Sequence, residues 1–289
     1  MRLFIVNKRS GRGRGKKVWT KVRQILEIRK IPYQVEFTEY PGHATEIARE
    51  AVHSNIEAVV AVGGDGTLHE VGNGLVGTEI PLGYIPAGSG NDFARAENIP
   101  RDPEQALERI LRHQVRLIDT ADLGGKVLVG FTGIGFDAQI ADLANKSSLK
   151  RFFRKFIYLV FLLRCLWTYR PTKVTISLDG KSYHYDGVWL IAINNTSFYG
   201  GGMKICPDAQ NDDGWLDICC VKYCRPRTLL RVFPQVYKGT HINHPFVSIH
   251  RGKEITVQSE RPLIIHVDGE IYGTTPLSVT IRPKSLRIL

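Results

Sequence analysis

The sequence predicts an α/β protein, with an N-terminal doubly wound, mostly parallel sheet followed by a C-terminal antiparallel β-sandwich. Two observations carry that expectation. Over the first 120 residues short apolar runs alternate with helical repeats, the order of a parallel sheet covered on both faces. From Lys173 onward strand-like runs follow one another with Asp-Gly turns between them, as in a sandwich or barrel.

Taken in order, Arg2–Val6 is a short apolar strand, and residues 16–30 then place Val18, Val22, Ile25 and Leu26 on one helical face. Tyr33, Val35 and Phe37 alternate as a strand, and Ala44, Ile47, Ala48, Ala51 and Val52 mark the next helix. Residues 58–62 are continuously apolar, which suits a strand buried on both faces. Residues 81–86 and 115–119 read as further strands on either side of a helix over 103–113. The second half offers strands at 174–178, 188–193, 215–221, 254–258, 263–267 and 277–281, with one helix over 225–238. No long linker intervenes, so domains of residues 1–120 and 121–289 are expected to pack around a cleft. The last strand is allowed to return to the first domain.

With 43% apolar residues in a chain of 289, there is ample material for buried cores, and disorder as the main state is excluded. Glycine has no collagen period. The longest apolar stretch, 156–163, stops at Arg164, well short of the roughly 20 residues of a membrane span. Residues 3–6 are too few for a secretory apolar core. Five cysteines (Cys165, Cys206, Cys219, Cys220, Cys224) lack zinc spacing and read as reduced, small apolar residues of a cytoplasmic protein. The net charge of +11 is unevenly placed. Residues 1–30 hold eleven bases against Glu27 alone, and residues 146–173 hold eight bases and no acid. Such patches attract nucleic acid, acidic headgroups or nucleotide phosphates, unless each is merely a solvated face.

The strongest motif is Gly63-Gly64-Asp65-Gly66-Thr67, where a buried strand runs straight into a helix. Glycines bare the backbone N–H groups and the helix N-terminus adds positive potential, so the loop can hold phosphate oxygens. The alternative is a simple Asp-Gly helix cap. Neither a Walker A loop nor GxGxxG is present. A second loop, Pro86-Ala87-Gly88-Ser89-Gly90-Asn91-Asp92-Phe93-Ala94, again joins strand to helix, and neighbouring strand ends would share one crevice. A third, basic glycine loop spans Asn7 to Gly13.

These motifs, with Glu70, Asn73-Gly74-Leu75, Gly133-Ile134-Gly135-Phe136-Asp137-Ala138, Asn194, Gly200-Gly201-Gly202-Met203, Asp213-Gly214 and Val267-Asp268-Gly269-Glu270, resemble the diacylglycerol kinase catalytic-domain family. The matches are ordered and run from Asn7 to Glu270, and the length is similar to that of soluble bacterial lipid kinases. Gly-Gly-Asp-Gly alone is shared with NAD kinases and phosphofructokinases, whose first domain this fold would resemble. Two positions depart from the family pattern. Lys8 stands where Pro is usual, and His69 where Asn is frequent, a change expected to matter little.

The resemblance implies an ATP-dependent kinase acting on a hydroxyl of diacylglycerol or a related lipid, with a nucleotide-binding first domain and a lipid-substrate second domain. Gly63, Gly64, Asp65, Gly66, Thr67, Gly88, Ser89 and Asn91 would hold the ATP phosphates, flanked by Asn7, Arg9 and Thr38. Asp65, Asp92 and Asp119 would form an acidic network reaching Mg²⁺ through water, and Asp268 would be the general base. By local sequence alone Asp268-Gly269 is a hairpin turn. Gln210, Asp213 and the Trp215 carbonyl resemble the family's structural metal site, against the alternative of a polar hairpin loop.

Leu149, Phe152, Phe153, Phe156, Val160, Leu163 and Trp167 share one helical face, with Lys150, Arg151, Arg154 and Lys155 toward the other. That face either packs on the core or lies in a membrane interface. The expected partner is a lipid at an anionic membrane surface, reached by a cytoplasmic, peripherally associated protein. No nucleic-acid partner is expected, and a homodimer is allowed. The rival readings are an NAD kinase-like enzyme and a catalytically inactive module for anionic surfaces or nucleic acid.

Overall fold

A computed structural model describes residues 1–146 and 154–289. In the first half the chain runs β1 (Arg2–Val6), α1 (Ser10–Ile28), β2 (Tyr33–Phe37), α2 (His43–Ala51), β3 (Ala58–Gly63), α3 (Asp65–Leu75), β4 (Leu82–Pro86), α4 (Asp92–Ala96), α5 (Pro103–Leu111) and β5 (Arg116–Asp122). The first four strands are parallel in the order β2-β1-β3-β4. Every residue of β3 and β4 is buried, because α1 and α5 cover one face of the sheet and α2 and α3 the other. Phe4, Trp19 and Tyr33 lock α1 to the sheet, with Phe4 and Trp19 ring centroids 5.3 Å apart. The regular part of α1 follows a break at Gly11, Arg12 and Gly13, all left-handed, as the helical repeat starting near residue 16 predicts.

The second half is antiparallel. It comprises β6 (Val127–Leu128), β7 (Phe131–Gly135), α6 (Phe136–Lys146), α7 (Arg154–Thr168), β8 (Thr172–Leu178), β9 (Lys181–Asn194), β10 (Leu216–Lys222), α8 (Pro226–Val232), β11 (Val247–Gly252), β12 (Glu254–Ser259), β13 (Ile264–Val267), β14 (Glu270–Thr274) and β15 (Leu277–Ile288). The long β9 pairs with β8 through its first half and with β7 and β10 through its second, so one strand serves two layers. The predicted helix over 225–238 is instead α8 followed by a 3₁₀ helix at Phe233–Lys238, because Pro234 has no N–H to continue the α ladder. Strand β7 escapes the sequence pattern since glycines occupy two of its five positions.

β15 joins the halves. It pairs with β12 near its start, with β5 along much of its length, and at Ile288 with Leu82 of β4. Leu286, Ile288 and Leu289 pack in the first core with Ile118 and Val129, while Leu277, Val279 and Ile281 pack in the second. In α7, Cys165 and Leu166 are buried and Val160, Leu163 and Trp167 point outward, with Trp167 68% exposed. Of the predicted basic amphipathic helix, Leu149, Lys150, Arg151, Phe152 and Phe153 lie outside the described residues.

Leu286 is fully buried at this junction. Leu286→Ala should cost about 2–5 kcal/mol, the range for emptying a packed leucine site. A urea titration reads this as a lower midpoint, and an unchanged midpoint would mean that the returning strand adds little to the first core.

Candidate active site

The loops after β1, β2, β3 and β4 all leave the carboxyl edge of the parallel sheet, where strand order reverses and a crevice must open. Asn7, just past β1, donates from its side chain to Thr67 Oγ1 (3.2 Å) and accepts from the N–H groups of Arg9 and Ser10 (3.1 Å each), so it ties the first loop to the third. Thr38 follows β2 and donates its N–H to the Val6 carbonyl. Gly64 caps α3, whose first-turn N–H groups have no partner within the helix, and nothing lies within 4 Å of a side-chain position at Gly66. The second glycine loop presses on the first: a Cβ on Gly88 would come within 2.5 Å of the Gly64 Cα. The basic loop closes on both, since a Cβ on Gly11 would meet the Ala87 carbonyl at 2.2 Å.

Asn91 holds the second loop in shape. Its backbone is left-handed (φ 55°), its Oδ1 accepts from Gly88 N–H (2.8 Å), and its Nδ2 donates to the Gly88 carbonyl (3.2 Å). The buried Tyr84 hydroxyl donates toward the Gly63 carbonyl and Asn91 Oδ1 (3.3 Å each). So the Asn91 side chain braces the loop from beneath, whereas Ser89 is exposed at its crest and Arg9 is exposed on the basic loop.

Asp65 and Asp92 lie together here, and Asp268 is near enough for its charge to act on Asp65. Asp65 accepts from the N–H groups of Asn91 (2.7 Å) and Phe93 (3.2 Å). Burial, and after it the charge of Asp92, pushes its carboxyl up to about 6, with a smaller push from Asp268. Asp92 accepts through Oδ2 from Gly201 N–H (2.7 Å), on a glycine turn of the second domain, and burial raises its carboxyl as well. Its Oδ1 is buried without a hydrogen-bond partner and lies 3.7 Å from Arg95 Nε.

Asp268 arrives from the second domain at the tip of the β13–β14 hairpin. Asp268 and Gly269 both have positive φ (48° and 91°), the combination of a two-residue primed turn. The turn reading of the local sequence is therefore correct in geometry, and the same turn carries the side chain into the cleft. Asp268 Oδ1 accepts from Phe131 N–H (3.0 Å), while Oδ2 lies 2.5 Å from Nδ1 of His69 on α3. A Cβ on Gly130 would sit 2.6 Å from Oδ1, so the carboxylate fits only against a glycine.

Other expected ligands lie elsewhere. Asp119 is fully buried, and its oxygens accept from Gly214 and Lys284 N–H (2.7 Å each). It thus fastens β15 and the 210–214 loop rather than joining Asp65 and Asp92. Asp213 accepts from Trp215 N–H (3.0 Å) and pairs with Arg251, so a guanidinium meets the charge for which the resemblance implied a metal. Gln210 is exposed, lining a cleft of about 330 Å³ with Glu97 and Arg116. Among the described residues, no three His, Cys, Asp or Glu side chains converge in a metal-binding group. Of the motif residues, Glu70 accepts from Ala44 N–H at the start of α2 (3.1 Å), a structural role.

The raised Asp65 carboxyl has a consequence for stability. Its value in the fold, about 6, exceeds the roughly 3.9 of an unfolded aspartate. Folding therefore favours the protonated form, and stability is lost as pH rises from about 4 through 6. Without divalent cations, wild type should lose up to about 2 kcal/mol relative to Asp65→Asn between pH 4 and 7.5. Urea titrations at several pH values measure this, and parallel curves for the two proteins would refute it.

The sequence comparisons agree with this architecture. A family profile described as the diacylglycerol kinase catalytic domain matches residues 2–123, and one described as the YegS C-terminal NAD kinase beta sandwich-like domain matches residues 130–289. A diacylglycerol kinase of Mycobacterium tuberculosis is 34% identical over 85% of this chain and 81% of its own. A diacylglycerol kinase of Bacillus subtilis is 32% identical over 94% of this chain and 90% of its own. A solved diacylglycerol kinase structure from Bacillus anthracis superposes with a TM-score of 0.74 at 24% identity, covering 99% of this chain and 95% of that one, and shares the fold. Glycine-rich loops on a parallel sheet, an aspartate hairpin from a β-sandwich, and relatives matched over most of their length lead to one assignment: this chain belongs to the diacylglycerol kinase catalytic-domain family.

Proposed function

We propose that the protein transfers the γ-phosphoryl group of ATP to a hydroxyl of diacylglycerol or a closely related lipid. The observation that carries this reading is the meeting of Asp268 with α3, the helix whose N-terminus carries the phosphate-ready loop. An acceptor hydroxyl beside Asp268 is then within reach of a phosphoryl group on that loop. In the reaction the lipid oxygen forms a bond to the γ-phosphorus, the bond to the bridging oxygen breaks, and ADP leaves. Asp268 takes the hydroxyl proton late, as a loose transition state allows. Loop N–H groups and the start of α3 bind the phosphates, and the basic Asn7–Gly13 loop adds positive charge.

Mg²⁺ fits the acidic side of this cleft. Asp92 Oδ1 is a buried oxygen without a hydrogen-bond partner, and Asp65 lies beside Asp92 with a carboxyl raised by burial and then by that neighbour's charge. Asp65 and Asp92 would hold the ion, directly or through water, and oxygen donors are what it takes. When bound it neutralises charge on the phosphates.

Access to lipid would come from a peripheral contact with an anionic bilayer. The outward Val160, Leu163 and Trp167 support this, because they belong to the apolar face of the predicted amphipathic helix and fall within the sequence stretch 146–173, which carries eight bases and no acid. The deciding assay incubates the protein with labelled ATP and either diacylglycerol vesicles or NAD. Label in the lipid fraction is expected, and label in NADP would establish the NAD kinase-like alternative instead.

Asp268→Asn should keep the hairpin, because asparagine tolerates positive φ, and should leave melting temperature and ATP affinity in place. Turnover should fall by ~10²-fold or more, the range for losing a general base. Full turnover would reduce Asp268 to a turn residue. On vesicles, activity should rise with anionic lipid content and fall with salt, since exposed charges act over about 8 Å at physiological ionic strength. Trp167→Ala should weaken vesicle binding and spare ATP affinity. Undiminished vesicle binding would take α7 out of the membrane contact.

A further inference from the structure

His69 was expected to matter little, yet it is the residue against which the Asp268 carboxylate rests. Its Nδ1 lies 2.5 Å from Asp268 Oδ2, with both side chains more than nine-tenths buried. Neither atom has another hydrogen-bond partner among the described residues. The oxygen sits off the axis of the ring N–H, close in distance without a linear bond. Asp268 Oδ1 is meanwhile fixed by Phe131 N–H.

Asn73, one turn along α3, decides which ring nitrogen carries the proton. Its Oδ1 accepts from Val127 N–H (2.9 Å), which identifies the amide nitrogen as the end facing the ring. That nitrogen donates to the Val127 carbonyl (2.9 Å) and the His69 carbonyl (3.0 Å) and lies 3.2 Å from His69 Nε2. A donor facing Nε2 leaves that nitrogen as an acceptor and puts the ring's proton on Nδ1, facing Asp268.

We propose that His69 is a positioning residue for Asp268: its Nδ1 edge, oriented by Asn73, attracts Oδ2 by close electrostatic contact and keeps it where it receives the acceptor's proton. The proposal rests on the kinase reading. It adds a link between the domains, because His69 is four residues from Asp65 and therefore on the same face of α3. Four helical residues, about 6 Å of rise, would then set the spacing between the proton-accepting carboxylate and the phosphate loop.

The test compares two substitutions and their combination with Asp268→Asn. His69→Leu removes the donor and should lower kcat about tenfold or more while leaving the KM for ATP unchanged, the size expected for losing an orienting partner. His69→Asn keeps an amide N–H near the Nδ1 position and should recover most of that loss. In the Asp268→Asn background His69→Leu should cost nothing further. Equal losses in the Leu and Asn variants, or multiplicative losses in the double variant, would overturn the proposal. A readout independent of turnover is the long-range ¹⁵N–¹H spectrum of histidine-labelled protein, with the His69 signals identified by their absence in His69→Asn. A protonated Nδ1 whose shift moves on Asp268→Asn is expected, and an unprotonated Nδ1 would overturn the assignment. If wild type phosphorylates no lipid, the kinase reading fails, and the spectrum still decides whether His69 holds Asp268.

Discussion

The near-contact of two glycines, Gly64 and Gly88, sets the geometry on which the rest of the site depends. With 2.5 Å between a hypothetical Gly88 Cβ and the Gly64 Cα, no side chain fits at Gly88 without separating the loops. Because they touch, the Asp65 carboxylate reaches across to Asn91 and Phe93 N–H, and Asn91 and Tyr84 brace the turn from below. Parallel strands β3 and β4 deliver both loops side by side, and two-faced burial of those strands keeps the edge rigid.

The cost of that compactness is electrostatic. Asp65 and Asp92 lie together in a partly dry space; burial raises both carboxyls, and at Asp65 the charge of Asp92 adds to it. Backbone N–H groups from Asn91, Phe93 and Gly201 offset part of it.

Many contacts join the two halves of the chain, and several of them lie at the site. Gly201 donates to Asp92, His69 meets Asp268, and Asn73 reaches Val127, each pair with one member in each half of the chain. β15 adds a mechanical tie by running through both cores. The β13–β14 hairpin is thereby held to α3, at whose N-terminus the first glycine loop lies, so side chains from both halves of the chain keep a fixed spacing.

Local patterns were enough to read the parallel half. The alternation of Tyr33, Val35 and Phe37, the apolar run at 58–62 and the glycine loops beyond are statements about neighbours in sequence, and the fold kept them. Ordered motifs also marked the loops, Asp65 and Asp268. Tertiary structure alone decided which side chains meet. Asp119 and Asp65 look alike as motif acids, yet Asp119 is used to fasten β15 through Lys284 N–H, some 165 positions away. Asp213 meets Arg251, 38 positions on, and the turn at Asp268 becomes part of a site because His69, nearly 200 residues earlier, lies beneath it. A sequence records what each residue can do. Which groups share a cleft depends on strand pairing across the whole chain, and the burial and neighbouring charge that raise the Asp65 carboxyl exist only after that pairing forms.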